Sequence, residues 1–291
     1  MSTPTISVVT PSLNQAAFLA DAVASVATQD HPALEHLVID AVSTDGTIEF
    51  LESRPDLTWT SEPDEGQSDA LNKGFLRAKG DIIAWLNADD RYLPGAFAAV
   101  VQHFEEHPET DVLYGDINWI DEHGAVFEHR PSLPFDRFTL RYLHWLTIPS
   151  PATFFRSDIV RDGHLIDPTY EWSMDSEFFL RLANAGYRFD HVATALADFR
   201  IQPDAKTGLA SDQQLVEHRQ AAIASNPTLR RLPPSLRVPT WTALSGVARG
   251  RRVVRRARAG HYRRAMRPGR RPDVLARPAP WARALPARAG G

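Results

Sequence analysis

The 291-residue chain contains no cysteine. That absence excludes disulfides, thiolate nucleophiles and cysteine-ligated zinc, and it fits a reducing compartment. No stretch approaches the ~18 consecutive apolar residues of a membrane-spanning helix. The N-terminal MSTPTISVVTPSLN has no basic segment followed by an apolar one, so no signal peptide is expected. Internal repeats are absent as well. Basic residues are scarce over residues 1–229, where 15 Lys/Arg face 35 Asp/Glu, a balance of −20. Acidic residues are scarce in the remainder: residues 230–291 hold 17 Arg against the single Asp273, a balance of +16. An acidic body therefore carries a basic tail, and the net charge of −4 conceals the split. Three readings of the tail stay open: a contact with anionic lipid, a non-specific attraction to nucleic acid, or a solvated extension without a role. No base-reading module accompanies it, so specific nucleic-acid recognition is not expected.

What is present is an ordinary globular composition, 43% hydrophobic and 23% charged, with length for a sizeable core. Apolar runs and amphipathic stretches alternate through the first half. ISVVT (6–10), HLVID (36–40), LTWT (57–60) and IIAWL (82–86) read as strands. QAAFLADAVASVATQ, a short segment ending near Leu51, QSDALNKGFLRAKG and a stretch from about Pro94 to His107 read as helices. This alternation predicts an α/β fold with a mixed, mostly parallel Rossmann-like sheet flanked by helices. Ligands in such sheets sit beyond the carboxyl ends of the strands. Asp40 and the Asp89/Asp90 pair fall at strand ends, hence on one rim. Residues 125–200 are less regular, apart from the amphipathic MDSEFFLRLANAGY. A basic helix near 245–267 is the one element expected in the tail.

Adjacent carboxylates at the end of an apolar strand repel each other and lose hydration. A divalent cation held against a polyphosphate would offset both costs. A helix start in DDRYLPGAF is the competing explanation.

Several motifs occur together and in order: ISVVTPSLN, HLVIDAVSTDGT, SEPDEGQSDALNKGF, GDIIAWLNADD and EWSMDSEFFLRLA. Over residues 4–200 this pattern resembles the family 2 glycosyltransferases, which have the GT-A fold. The resemblance implies transfer of a sugar, with inversion, from a nucleotide sugar (a UDP-sugar) to an acceptor hydroxyl in cell-envelope glycan or other polysaccharide assembly. It implies Mn²⁺ or Mg²⁺ as cofactor and a glycan or lipid-linked acceptor. It places Asp40 at the uracil imide, where only a hydrogen-bond acceptor serves, and Pro11, Asn14, Gln67, Asp69, Asn72, Asn87 and Ala88 on the nucleotide side. Small residues at Gly66, Ala70 and Gly74 would let the helix backbone approach the ligand. Asp89 would hold the metal. Asp175 would be the catalytic base, with Glu171 and Glu177 as rivals and a helix cap as the competing role. Asp90, Trp145, Gln202 and Lys206 are candidate phosphate or acceptor contacts.

The sequence departs from the family pattern in three places. DAVS stands where the family has DDGS or DGGS. Asn87 replaces the first acid of the metal motif. Gln202 stands where a histidine commonly follows LADFR, and Lys206 could restore the positive charge. The implied organisation is one domain over 1–230, with a nucleotide-sugar-binding half (1–120) and an acceptor and catalytic half (121–230), followed by the Arg/Pro-rich tail 231–291. The expected location is cytoplasmic, with a peripheral contact at the inner face of the membrane open through the tail. A sugar-nucleotide-binding protein without turnover remains an alternative. A nucleotidyltransferase is another, but it should carry a Gly-rich basic loop after the first strand, where this chain has TPSLNQ.

Overall fold

Strand alternation puts Val8 and Val9 on opposite faces of the first strand, and both are fully buried. The sheet is therefore covered on both sides. The computed structural model describes residues 3–31, 35–143, 148–202 and 212–259. In chain order the elements are β1 (Ile6–Ser12), α1 (Ala16–Ala27), β2 (Glu35–Asp40), α2 (Thr47–Glu52), β3 (Thr58–Ser61), α3 (Gln67–Arg77), β4 (Ile82–Trp85), β5 (Arg91–Tyr92) and α4 (Ala96–Glu106). There follow β6 (Val112–Ile120), β7 (Val126–Arg130), α5 (Arg137–Tyr142), β8 (Thr153–Arg156), α6 (Asp158–Arg161), α7 (Met174–Ala185), β9 (Phe189–Arg200), α8 (Asp212–Ala224), α9 (Pro227–Arg231) and α10 (Pro234–Arg258).

The strands run in the order β3-β2-β1-β4-β8-β6-β9-β5, with β7 paired to β6 outside this path. β1 pairs in parallel with β2 and β4, and β2 with β3. β8 then enters antiparallel to both β4 and β6, while β6 and β9 run parallel. The expected mixed α/β sheet is present, and the first four strands form its parallel part. The chain builds outward from β1 through β2 to β3, then returns to place β4 on the other side of β1. That reversal is a topological switch point, where α/β sheets open a crevice.

One core lies between Val9, Leu37, Ile39 and Ile83 on the sheet and Leu71, Phe75, Phe178 and Leu182 from α3 and α7. The opposite face packs Ile6, Val8, Ile82 and Ala84 against Val26, Phe97 and Val101 from α1 and α4. Gly74 is spent on packing rather than on a ligand: a Cβ there would meet Val9 Cγ1 at 2.2 Å, so the glycine lets α3 approach β1.

The basic helix begins earlier than expected, at Pro234, and ends at Arg258. Proline at the first helical positions costs little, because those N–H groups have no intrahelical acceptor. Trp241 and Ala248 join the α3/α7 core, so this helix is packed against the body. Among the described residues no helix is long and apolar enough to cross a membrane.

His36 sits in the middle of the parallel sheet, 6% exposed, with its Nε2 and Thr10 Oγ1 hydrogen-bonded at 2.9 Å. Burial, followed by the Arg54 charge, lowers its pKa from 6.5 to about 4. The unfolded chain binds the proton first, so stability is complete above pH ~6.5 and is lost as pH falls through about 4. Urea unfolding across this window should show the wild type losing up to about 3 kcal/mol more than His36→Leu. Identical profiles would mean that His36 does not titrate on unfolding.

Candidate active site

A cleft of about 470 Å³ opens at the β1/β4 switch point, within the range of ~300–1,000 Å³ usual for small-molecule sites. Its walls come from the exit of β1 (Pro11, Ser12, Leu13, Gln15) and the start of α3 (Gly66, Gln67, Ala70). The exit of β4 adds Trp85 and Asn87–Asp90, the entry to α7 adds Glu171, Trp172, Met174 and Asp175, and the end of β9 adds Phe199 and Arg200. Pro11, Gln67, Asn87, Ala88, Asp89, Asp90 and Asp175, all singled out from the sequence, are thus brought together. Trp145 and Lys206 lie outside the described residues.

Four other expected contact residues are not among these walls, and their side chains hold partners within the protein. Asp40 is fully buried and does not line the cleft. It accepts from the Ser43 N–H at 3.0 Å, the Ser43 hydroxyl at 2.5 Å and the Ser61 hydroxyl at 2.7 Å. Asn14 accepts from the Thr44 N–H at 2.9 Å, joining the β1 and β2 exits. Asp69 forms an ion pair with Lys73 at 3.1 Å. Asn72 exchanges two 2.8 Å hydrogen bonds with the backbone of Ile166, which anchors the loop leading to α7.

The LNADD turn is tied down from several directions. Asn87 Oδ1 accepts from Trp85 Nε1 at 2.8 Å and Gln67 Nε2 at 2.9 Å, and its amide donates to Asp90 Oδ2 at 3.0 Å. Asp90 Oδ1 takes the Arg200 N–H at 2.9 Å. Both Asp90 oxygens are therefore engaged, which makes it a brace for the turn. Burial, then the charge of Asp89, pushes the Asp90 carboxyl well above the ordinary aspartate range. Burial also raises Asp89, against the opposing pull of Gln202, whose Nε2 donates to Asp89 Oδ2 at 2.9 Å, and of Arg200. Gln202 thus reaches the very carboxylate the family pattern pairs with a metal.

Among the described residues no three His, Cys, Asp or Glu side chains are grouped to cage a metal. The residues fit a different arrangement. One hard carboxylate, Asp89, sits in a site whose burial and like charge favour a cation. Magnesium and manganese are commonly held in this way, by one or two carboxylates with waters and substrate phosphates completing the shell.

Arg200 was quoted in the sequence only as part of LADFR, yet it is the cleft's main cation, 2% exposed. Its Nε donates to Asp89 O at 2.8 Å and its Nη1 to Asp121 O and Glu122 O at 3.0 Å. Its guanidinium also stands 4.8 Å from the Phe18 ring centroid. An arginine closing an apolar strand was the available signal. Ser12 Oγ and Gln15 Oε1 were missed too. Both are buried without a hydrogen-bond partner, and both residues line the cleft.

Asp175 is half-buried in the first turn of α7, and the helix's N-cap is Ser173. The acid serving that terminus is Glu217 of α8, which accepts the N–H groups of Trp172 at 2.7 Å and Ser173 at 3.0 Å. Asp175 is therefore not the N-cap residue of this helix. Burial raises its carboxyl above the usual range, although the Ser176 N–H donates to it at 2.6 Å. Glu177 is paired with Arg181 at 2.9 Å and is not part of the cleft lining.

A family model described as glycosyl transferase family 2 matches residues 7–162. The chain belongs to this family. It is 33% identical over 187 residues to an uncharacterized glycosyltransferase of Mycobacterium tuberculosis, covering 62% of this chain and 70% of the relative. It is 37% identical over 95 residues to the putative teichuronic acid biosynthesis glycosyltransferase TuaG of Bacillus subtilis, covering 31% of this chain and 37% of that protein. Among solved structures, residues 1–349 of S. aureus TarS with UDP-GlcNAc superimpose with a TM-score of 0.62 at 18% identity, over 80% of this chain and 69% of that one. The mannosyltransferase PcManGT of Pyrobaculum calidifontis, with GDP-Man and Mn²⁺, gives 0.58 at 19% identity, over 85% and 74%. These likenesses show the GT-A fold.

The DAVS departure has a structural consequence. Val42 stands at φ +59°, the left-handed region, where the family pattern carries glycine. A β-branched residue is strained there. Val42→Gly should relieve ~1–2 kcal/mol of strain, partly offset by glycine's greater unfolded freedom. The expected net is a melting temperature about 2 °C higher. A lower melting temperature would show that the turn relaxes in solution.

Proposed function

We propose that this family 2 glycosyltransferase moves a sugar, with inversion, from a nucleoside diphosphate sugar to an acceptor hydroxyl, with a UDP-sugar as donor. The observation that carries this reading is the gathering of Asp89, Arg200 and Asp175 in one cleft at the β1/β4 switch point. In the proposed step the acceptor oxygen forms a bond to the anomeric carbon as the bond from that carbon to the diphosphate oxygen breaks. The acceptor hydroxyl proton passes to a carboxylate Oδ of Asp175. The nucleoside diphosphate leaves with the bonding electron pair.

Each residue has a physical reason for its part. Asp175 is desolvated, so its affinity for a proton is raised in the direction a general base needs. Ser12 Oγ and Gln15 Oε1 are unpartnered polar atoms available to the nucleoside. Gln15 Oε1 is an acceptor of the kind a uracil imide requires, and the Asp40 carboxylate, which accepts three hydrogen bonds, keeps room for a fourth. Arg200 and Gln202 hold Asp89 by its backbone carbonyl and its carboxylate. A divalent cation bound at Asp89 would supply positive charge to the departing diphosphate. TarS and PcManGT were solved with UDP-GlcNAc and with GDP-Man and Mn²⁺, which supports a nucleotide-sugar donor and a cation here. The likeness to TuaG supports cell-envelope glycan assembly as the setting.

Two substitutions test the assignment. Asp175→Asn keeps the shape of the side chain but cannot accept the proton, so kcat should fall about 10²–10⁴-fold while donor affinity stays. Near-wild-type transfer would give the role to Glu171, which shares the cleft. Asp89→Ala should abolish the Mn²⁺-dependent part of UDP binding in calorimetry and leave the melting curve cooperative. Unchanged affinity with Mn²⁺ would refute Asp89 as the metal residue.

A further inference from the structure

α10 buries an apolar stripe on one side and displays a second one on the other. At about 3.6 residues per turn, Trp241, Leu244 and Ala248 share the side that packs into the α3/α7 core. Leu236, Ala243, Val247, Gly250, Val254 and Ala257 fall on the opposite side, and all are exposed. Leu236, Val247 and Val254 are 50%, 59% and 49% exposed. No charged residue interrupts this outer stripe, which spans about a third of the circumference. A surface helix ordinarily carries its polar residues there.

A lone exposed valine needs no explanation, but a contiguous apolar patch marks a contact. Of the ten large hydrophobic side chains exposed among the described residues, five stand on α10. The helix cannot roll to hide them, because its other side is occupied. Trp241 and Ala248 are packed in the core, and Arg251 and Arg255 pair with Asp136 at the start of α5, at 2.9 and 3.3 Å.

Charge decides among the occupants this stripe could take. α10 carries seven arginines and no Asp or Glu. Arg249 borders the outer stripe on one side and Arg258 on the other, and both are exposed. Residues 230–291 hold 17 Arg against Asp273 alone. A second copy of the helix offers no acid to these arginines in either orientation. A nucleic acid would take up the arginines and leave the valines in water. An anionic bilayer satisfies both, since the apolar stripe enters the boundary between headgroups and acyl chains while the flanking arginines reach lipid phosphates. No described helix is long and apolar enough to cross a membrane, so α10 would lie in the plane of the interface.

We infer that the outer side of α10 is a docking surface for an anionic membrane, with Leu236, Val247 and Val254 entering the lipid and Arg249 and Arg258 on its phosphates. The helix lies beyond residue 162, where the family match ends. Docking of this kind is independent of the transfer reading. It also differs from plain charge attraction, because a solvated basic tail would bind anionic vesicles equally well without the valines.

The test is sedimentation of the full chain with vesicles. Mixed vesicles of phosphatidylcholine and phosphatidylglycerol should carry down the wild type at low salt, and pure phosphatidylcholine vesicles far less of it. Val247→Ser/Val254→Ser leaves every charge in place and should lower the partition onto mixed vesicles at least about fivefold. Leu76→Ser, at a side chain 65% exposed on α3, should bind as the wild type does. Arg249→Gln/Arg258→Gln should weaken mixed-vesicle binding and flatten its salt dependence. All these positions are exposed, so the variants should melt with the wild type. Should the valine pair alter the melting curve, Leu236→Ser takes its place, with about a twofold loss expected. Failure of the wild type to bind mixed vesicles overturns the proposal, and so does equal binding by either double variant. Light scattering tests the second copy: a dimer lost in Val247→Ser/Val254→Ser, without vesicle binding, would give the face to another chain and overturn the membrane assignment. Binding to a DNA duplex with none to vesicles would do the same.

Discussion

Arg200 is the interaction on which the site depends. Its guanidinium is almost wholly buried and is satisfied mainly by backbone carbonyls, those of Asp89, Asp121 and Glu122. Its own N–H holds Asp90. One residue therefore fastens the end of β9 to the turn after β4 and to the β6/β7 hairpin, three segments far apart in sequence. The buried cation standing against this turn offsets part of the cost of two adjacent carboxylates at a buried strand end. Without it, desolvation and like charge would both oppose that geometry.

Some of the polar residues around the cleft line it and others hold its frame. Asp40, Asn14, Asp69 and Asn72 use their polar atoms on neighbouring loops and helices. Asn72 anchors Ile166 and Glu217 caps α7, so the helix carrying Asp175 is held from α3 on one side and α8 on the other. The C-terminal elements thus position a residue proposed for chemistry, although no cleft motif lies among them. α10 extends the same body and presents arginines inward where its own stripe would otherwise be apolar.

Much of the fold was legible. The first four strands and the helices between them follow from hydrophobic period, and β1, β2 and β4 fall within two residues of their expected bounds. The β8 insertion and the twelve-residue β9 were not legible, because their pairing is non-local: β9 bonds to β6, 77 to 80 residues earlier. The start of α10 was obscured by Pro233, Pro234 and Pro239, which read as breakers although the first turn tolerates proline. In the site, LNADD and MDSEFF announced themselves by charge beside apolar runs. Arg200 and Glu217 did not, since each acts on groups that only folding brings near.

The sequence by itself determined the α/β class, the rim on which strand-end carboxylates gather and the family whose motifs it carries. Those properties are encoded locally, in periodicity of two or 3.6 residues and in motif spacing. Only the tertiary structure decided which polar side chains face the cleft and which face the frame. It alone turned Asp40 toward Ser43 and Ser61, and brought Glu217 of α8 to the N–H groups just before α7. The physical reason is that a polar group's role depends on the partners left to it after burial, and those partners are set by contacts between distant segments.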